Sequence, residues 1–259
     1  MYFSLPFISY LRGVYNFGVI HKEWYDEGNQ NMATLYIVGT PIGNLEDITL
    51  RALRVLKEVK MVLCEDTRVT KRLLTKYEIA TPVMSYHAQS KLAKVEKILA
   101  LLEEGNDLAL VSDAGTPCIS DPGSLLTKQV LERFGEQVSI VSIPGPSALI
   151  TALSSAGISV AEFTFLGFLP HKKGRETLFK EIAGSSRVMV FYESTHRIEK
   201  ALESLEKFCG PERHIIVARE LTKVYEEFVR GSVTHVRAHF AKNPDRVRGE
   251  FVVIVDSVH

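Results

Sequence analysis

The sequence predicts an α/β protein built from two domains. Short apolar runs that are typical of buried strands alternate with segments whose apolar residues recur at helical spacing. Several of the strand-like runs end in loops rich in glycine, proline and charge, which is where open α/β sheets bind their ligands. The 259 residues, of which 46% are hydrophobic, are enough for two compact domains with sizeable cores.

Residues 1–31 differ in pattern from the rest of the chain. They contain eight aromatic residues that follow neither a strand period nor a helix period. A secretory signal peptide would need an unbroken apolar core, which Pro6 and Arg12 interrupt. We predict a poorly ordered extension that precedes a natural start at Met32. The alternative is an N-terminal helix that packs on the first domain.

The first predicted domain covers residues 32–145 and alternates strands with helices. Its strand-like runs are 35–38, 61–63, 108–111 and 138–143. Apolar residues at helical spacing predict helices over 50–59, 92–102 and 126–134. The Pro-Gly-Pro segment 144–146 is the predicted domain boundary, and Pro146 suits the first turn of a helix that Gly157 ends.

The second predicted domain covers residues 146–259 and repeats this alternation. Its strand-like runs are 163–166, 187–191, 214–218 and 251–255. One clear helix, 198–208, has Ile198, Leu202 and Leu205 on its buried side. Strands that alternate with helices in this way predict sheets that are covered on both faces.

Four loops that follow predicted strands combine glycine, proline and charge. They are 39–47, 64–68, 112–123 and 144–147. In a mainly parallel sheet these loops gather at one edge, so they predict a small-molecule cleft. No G-x-G-x-x-G or G-K-[S/T] motif is present, which argues against a dinucleotide dehydrogenase or a P-loop enzyme. The alternative for any one loop is an ordinary solvated connection.

Composition excludes several classes of protein. Lysine plus arginine equals aspartate plus glutamate, at 31 each, so a nucleic-acid partner would need a local basic patch. The three cysteines are far apart and have no metal-ligand spacing, which indicates a reducing, cytoplasmic compartment and no zinc site. No apolar run approaches the roughly 20 residues of a membrane helix, so we expect no membrane contact.

Five stretches of the chain together resemble one known family. They are 35–45 (LYIVGTPIGNL), 64–68 (CEDTR), 111–123 (VSDAGTPCISDPG), 191–197 (FYESTHR) and 218–223 (ARELTK). In this order they are similar to the ribosomal RNA small-subunit methyltransferase I family, a branch of the tetrapyrrole-methylase-like enzymes. The resemblance runs from residue 34 to about residue 256 and leaves residues 1–31 outside, which favours Met32 as the start.

The resemblance implies two α/β domains of the tetrapyrrole methylase type, with the cofactor cleft between them, in a homodimer. It implies transfer of a methyl group from S-adenosylmethionine, without a metal, to the ribose 2′-oxygen of a decoding-region cytidine in 16S rRNA. The substrate is either naked 16S rRNA or the small ribosomal subunit. The rival hypotheses are a methylase of a tetrapyrrole or other small acceptor, and a non-catalytic ribosome-assembly factor that binds RNA.

The resemblance also implies a set of cofactor-binding residues, chiefly in the loops that follow strands. They are Pro41, Asp113, Ala114, Gly115, Thr116, Gly145, Ser147, Ala148, Phe191 and Arg219. Asp113 could instead cap the turn that follows it, and Ser147 could serve only as a helix cap.

Three residues are candidates for assisting deprotonation of the acceptor hydroxyl: Glu220, Lys223 and Glu193. Lys223 would stabilise the developing oxyanion or, if its pKa is lowered, accept the proton. The alternative for Glu220 and Lys223 is a local salt bridge. His196 is more simply explained as a structural residue near a helix start.

Basic residues in three places predict RNA binding. The first group is His171, Lys172, Lys173 and Arg175 around Gly174, which resembles a flexible phosphate clamp. The others are Arg68 with Lys71 and Arg72, and Arg246 with Arg248; Arg197 is also expected to contact RNA. For any single group the alternative is a solvated surface.

Overall fold

The computed structural model describes residues 32–87, 90, 92–121 and 123–258. The predicted extension over 1–31 lies outside the described residues, so the start at Met32 stays a prediction. All of the elements below belong to one compact unit, Ala33–His259.

The first sheet is fully parallel, with the strand order β3-β2-β4-β1-β5. Four of its strands match the predicted runs, whereas β3 was missed because it is three half-buried residues long. The strands are β1 Ala33–Val38, β2 Met61–Cys64, β3 Val83–Ser85, β4 Leu108–Leu110 and β5 Val138–Ile143.

Helices cover both faces of the first sheet, as predicted for an α/β fold. The helices on one face bury Val55 and Leu73 against strand residues such as Val62. Those on the other face bury Ile98 and Leu126 against the sheet. The first pair is α1 Leu50–Glu58 and α2 Thr67–Lys76, and the second is α3 Leu92–Glu103 and α4 Gly123–Phe134.

The second sheet is mixed, with the order β6-β7-β10-β8-β9. Only β6 and β7 are parallel, since β10 runs antiparallel to both of its neighbours and β9 antiparallel to β8. A short loop joins β8 to β9, so this pair needs no crossover helix. The strands are β6 Phe163–Phe168, β7 Val188–Ser194, β8 His214–Arg219, β9 Glu227–Ser232 and β10 Glu250–Val255.

Helices also cover both faces of the second sheet. On one face, Leu149 and Ala152 of the helix after β5 pack with Val190 and Ile216. That helix begins after Ser147, whose hydroxyl caps it, so Pro146 lies before the first turn and not within it as predicted. The helices are α5 Ala148–Ser154 on this face, and α6 Arg175–Gly184, α7 Ile198–Cys209 and α8 Val233–Lys242 on the other.

Candidate active site

Three loops meet at the carboxyl edge of the first sheet, after β1, β4 and β5. The first two form an antiparallel bridge, in which Thr40 N–H donates to the Gly115 carbonyl at 2.9 Å and Gly115 N–H donates back at 3.1 Å. Thr40 Oγ1 also donates to the Ser112 carbonyl at 3.2 Å. The loops therefore come together as the parallel sheet requires.

Two glycines join the loops after β1 and β5. A Cβ atom built on Gly39 would lie only 2.8 Å from the Cα atom of Gly145, and the reverse substitution meets the same obstacle. In both cases the neighbouring atoms are backbone atoms, so a methyl group could be admitted only if the backbone itself moved. Gly39 and Gly145 therefore set the spacing of this edge of the site.

The segment 112–116 forms one wall of the site with little side-chain bulk. Gly115 has a left-handed backbone at φ +79°, which favours glycine. The Asp113 carboxylate accepts the backbone N–H of Asp66 at 3.0 Å and so ties down the loop after β2. Thr116 Oγ1 donates to the Pro146 carbonyl at 3.2 Å, which links the wall to the start of α5.

The end of β7 forms part of the opposite wall. The Tyr192 hydroxyl accepts the backbone N–H of Leu149 at 3.2 Å, which fixes the ring against the first turn of α5. Phe165 and Phe168 pack edge-on against Tyr192, with ring centroids 4.9 and 5.5 Å away. Burial raises the pKa of Tyr192, so the phenol is neutral at physiological pH.

Between these walls lies a cavity of about 490 Å³, a size typical of small-molecule sites. It is lined from the first half of the chain by Ile42, Glu65, residues 112–116, residues 119–121, Ser147 and Ala148. It is lined from the second half by Phe168, residues 192–196, Leu221 and residues 249–252. Residues from both halves of the chain are therefore needed to enclose it.

A buried carboxylate holds two arginines beside the cavity. The side chain of Glu193 is fully buried; Arg197 Nε lies 3.0 Å from its Oε1 and Arg175 Nη1 lies 3.5 Å from its Oε2. Arg197 also donates to the carbonyl of Leu169, and Arg175 donates to that of Pro170 at 3.3 Å. Both oxygens of Glu193 are thus engaged by arginines, and the catalytic role predicted for it stays a prediction.

The predicted pair Glu220 and Lys223 forms the local salt bridge given above as the alternative. Lys223 Nζ donates to Glu220 Oε1 and to Glu250 Oε2, each at 2.8 Å. Burial alone would lower the pKa of Lys223, but these two carboxylates outweigh it and raise the pKa. Lys223 is therefore a charged ammonium, and the lowered pKa on which a role as proton acceptor depended is not found.

Glu220 is likewise held in its charged form. Burial acts to raise its pKa, but the hydrogen bonds from Lys223 and from the Glu250 backbone N–H outweigh it and lower the pKa. Among the residues described, Glu250 lines the cavity whereas Glu220 and Lys223 stand behind it. The loop after β1 reaches this ion pair, since a Cβ atom on Gly43 would lie 2.5 Å from Lys223 Cγ.

The structure brings most of the predicted cofactor residues together. Those that line the cavity are Asp113, Ala114, Gly115, Thr116, Ser147 and Ala148. Ser147 both lines it and caps α5, accepting the N–H of Ile150 at 3.5 Å. Pro41 is buried in the loop after β1, and Gly145 supports the wall through its contact with Gly39.

Two predicted cofactor residues lie elsewhere. Phe191 is fully buried in the core, with its ring centroid 6.4 Å from that of Phe179. Side chains alternate along a strand, and because Tyr192 takes the cavity side, Phe191 faces the opposite one. Arg219 is also buried, and it donates to the carbonyls of Arg248 at 2.7 Å and Tyr225 at 3.2 Å.

The predicted RNA-binding residues fall into two sets. His171, Lys172 and Lys173 are exposed on the loop between β6 and α6. Arg175 and Arg197, in contrast, are bound to Glu193 and are only 16% exposed. They therefore anchor this loop and do not belong to the exposed clamp.

The other predicted RNA contacts lie at the margins of the site. Arg68 is exposed and pairs with Asp66 at 2.6 Å, beside a second, open hollow of about 410 Å³ that shares Glu65 and Asp113 with the main cavity. Arg248 is exposed just before β10. Its neighbour in sequence, Arg246, pairs with Glu227 at 2.5 Å.

Sequence reasoning missed several residues that line the cavity, notably Glu65, Phe168 and Tyr192. Glu65 lies in the CEDTR stretch, so an indication was present. Burial raises its pKa, and the carboxylates of Asp121 and Asp113 raise it further. For Phe168 the available indication was the glycine before it, which directly follows the strand-like run 163–166.

Comparison with known proteins defines the class. The model of the tetrapyrrole (corrin/porphyrin) methylase family matches residues 34–237. The fold is similar to that of the methyltransferase CobJ, with a TM-score of 0.64 and 21% identity over 87% of this chain and 95% of that chain. It is also similar to cobalt precorrin-4 methyltransferase CbiF, with a TM-score of 0.61 and 21% identity over 86% and 94%. The chain thus has the fold of a tetrapyrrole-type methylase.

Closer relatives identify the branch. Ribosomal RNA small subunit methyltransferase I of Thermotoga maritima is 44% identical over 86% of this chain and 98% of its own length. The protein of that name from Bacillus subtilis is 41% identical over 92% of this chain and 80% of its own. The chain belongs to the ribosomal RNA small subunit methyltransferase I family, which confirms the resemblance drawn from the five motifs.

The described part of the chain lacks two features. None of the helices there is long and apolar enough to cross a membrane. Within the same residues, no group of three or more histidine, cysteine, aspartate or glutamate side chains has an arrangement that would hold a metal ion.

Proposed function

We propose that this protein transfers a methyl group from S-adenosylmethionine to the ribose 2′-oxygen of a decoding-region cytidine in 16S rRNA. The relatives named for small-subunit rRNA methylation support the RNA substrate. The observation that carries the proposal is the cavity itself, with a small-residue wall on one side and an exposed basic loop beside the other. Such a site suits a small donor and a large anionic acceptor.

The first wall fits a sulfonium donor. Ala114 and Gly115 have no side chain beyond Cβ, so a ligand can approach their backbone closely. A Cβ atom on Gly115 would meet Ile42 Cγ2 at 3.3 Å and so narrow the cradle. The carboxyl groups of Glu65 and Asp121 also line the cavity and favour a cationic ligand. We assign residues 112–116 with Ser147 and Ala148 to the donor.

The bound donor supplies an electrophilic methyl carbon. The O–CH₃ bond forms as the S–CH₃ bond breaks and the hydroxyl loses its proton, so catalysis rests on alignment of the reacting atoms. Lys223 is held between the carboxylates of Glu220 and Glu250, so its role in the proposed reaction is to fix Glu250 at the edge of the cavity. Glu65, with its raised pKa, is our candidate for accepting the proton.

The test is methyl transfer from labelled S-adenosylmethionine to small subunits that lack the modification, followed by identification of the labelled nucleoside. We expect labelled 2′-O-methylcytidine in the decoding region. Labelled RNA with the methyl group on a base would overturn the ribose assignment. Donor binding without labelled RNA would overturn the rRNA assignment, and turnover of a precorrin would then identify a small-acceptor methylase.

The same assay separates the two forms of the substrate. Naked 16S rRNA and assembled subunits are compared at equal concentration, and the faster reaction identifies the preferred form. We further propose a homodimer that acts in the cytoplasm, with residues 32–145 and 146–259 as its two domains. Light scattering of the purified protein measures the subunit number.

A further inference from the structure

A β-bulge changes the direction of β6 where it reaches the cavity. Phe165 pairs with Val190 and Phe168 pairs with Tyr192, so three steps along β6 match two steps along β7. Gly167 lies in this irregularity with a left-handed backbone at φ +63°. Bulges beside active sites typically redirect a side chain. Here the redirected residue is Phe168, which lines the cavity.

Phe168 is an exposed aromatic residue in a fixed position. It is 57% exposed, although burial of the ring would be favourable. Its position is set on one side by Tyr192, at an interplanar angle of 62°, and Tyr192 is itself held by the backbone of Leu149. An exposed ring held at the mouth of a cavity is typical of a surface on which a flat ligand stacks.

Positive charge lies next to this ring. Lys172 and Lys173 are exposed four and five residues after Phe168. The segment between them and the ring is anchored at Leu169 and Pro170 by the two arginines that Glu193 holds. An apolar ring flanked by cations is complementary to a nucleotide, which joins a flat base to an anionic phosphate.

We propose that Phe168 stacks on a nucleobase of the acceptor RNA at the mouth of the cavity, while Lys172 and Lys173 contact the flanking phosphates. The inference rests on the proposed function, since it requires an RNA substrate. It assigns Phe168 a role in positioning the acceptor and no role in binding the donor. Gly167 is then needed to aim the ring.

Three variants of the full chain test this assignment: Phe168→Ala, Phe168→Trp and the control Phe163→Ala. Phe163 is an exposed phenylalanine on the same strand and, among the described residues, is not part of the cavity wall. For each variant, calorimetry measures donor affinity, and methyl transfer measures KM for small subunits. We expect Phe168→Ala to raise KM about tenfold. Donor affinity should stay within about twofold, Phe168→Trp should restore KM, and Phe163→Ala should leave both values unchanged.

Each other outcome overturns the assignment in a recognisable way. Weaker donor binding with unchanged KM would place the ring on the donor. Unchanged KM and donor affinity in Phe168→Ala would show that the ring does not stack on the substrate. Equal effects of Phe163→Ala and Phe168→Ala would indicate a general loss of stability, which thermal melting would register. If the wild-type protein binds the donor but methylates no subunits, the proposed function itself fails.

Discussion

The two walls of the cavity differ in the types of residue that form them. Apart from Ile42 and Ile119, the wall from the first half consists of backbone, small side chains and carboxylates, and it is held by contacts such as Gly39 against Gly145. The wall from the second half contains aromatic rings and is supported by a buried ion-pair cluster around Glu193. The difference suggests a division of labour, in which the first wall binds a small donor and the second orients a large acceptor.

Sheet topology explains how the second half contributes differently. In the parallel first sheet, the loops that reach the site all follow the carboxyl ends of strands. In the mixed second sheet, β10 runs antiparallel to β7, so its amino end lies beside the carboxyl end of β7. Residues 249–252 therefore line the cavity from the start of a strand.

The largest effect is expected from Glu193→Gln in the second wall. This change leaves Arg175 and Arg197 without their shared carboxylate in a largely buried setting. Removing one partner of a buried ion pair should lower the free energy of unfolding by about 3 kcal/mol, which urea denaturation measures. Glu162→Gln is the control, because Glu162 pairs with Arg187 at the surface, and it should cost less than about 1 kcal/mol. Equal losses would contradict the structural role of Glu193.

In the first wall, Gly39→Ala should have the next largest effect. The added methyl group would force the backbone of Gly145 away, which should destabilise the protein by about 2 kcal/mol and weaken donor binding. Gly184→Ala is the matched control, since a Cβ atom there has no neighbour within 4 Å. Thermal melting and donor calorimetry measure both variants. A Gly39→Ala protein that binds the donor normally would show that the close approach is not needed for this wall.

The exposed lysines of the second half should affect RNA binding without affecting folding. When the logarithm of the RNA-binding constant is plotted against the logarithm of salt concentration, the double variant Lys172→Gln/Lys173→Gln should have a slope smaller in magnitude by about two. Its melting temperature should be unchanged. Lys57→Gln/Lys60→Gln is a control pair at the opposite edge of the first sheet, where Lys60 precedes β2. Arg175→Gln should instead lower the melting temperature. An unchanged salt slope in the Lys172/Lys173 variant would exclude the loop as the clamp.

The smallest effect concerns an exposed charge pair of the first half. Hydrogen bonds from the Arg68 side chain and backbone hold the pKa of Asp66 at about 2, below the value of about 3.9 for an unfolded chain. Ionised Asp66 therefore stabilises the fold above about pH 4, and this contribution is lost as the pH falls toward 2. NMR titration of the carboxyl group should give this midpoint, and Arg68→Gln should raise it. A titration near pH 4 in the wild type would show that the pair is not formed.

Much of the fold could be predicted because four strands of the first half are largely apolar runs that are followed by loops rich in glycine, proline or charge. Val138–Ile143, for example, has the predicted bounds. Glu227–Ser232 escaped prediction because its residues, EFVRGS, include charge and glycine, and they form a strand only through pairing with β8. Local patterns do not contain this information.

The site was predictable where backbone chemistry determines it and not where tertiary contacts do. The segment 112–116, which combines Gly115 with short polar side chains, can be recognised from its sequence. In contrast, nothing in the sequence of the basic cluster shows that Arg175 would turn inward to Glu193. The sequence likewise does not show which of Phe191 and Tyr192 faces the cavity. Both faces of β7 are covered, so its apolar pattern does not indicate which side lines the cavity.

The position of β10 has a consequence for how the chain matures. All five strands of the first sheet have been made by Ile143, whereas the centre of the second sheet is Glu250–Val255, which follows every other strand in the sequence. A nascent chain emerges from its N-terminal side. The first sheet can therefore assemble while the second is still being made, but β7 and β8 have no central strand between them until Glu250–Val255 has been synthesised. The cavity, which residues of both halves enclose, can therefore close only after β10 has been made.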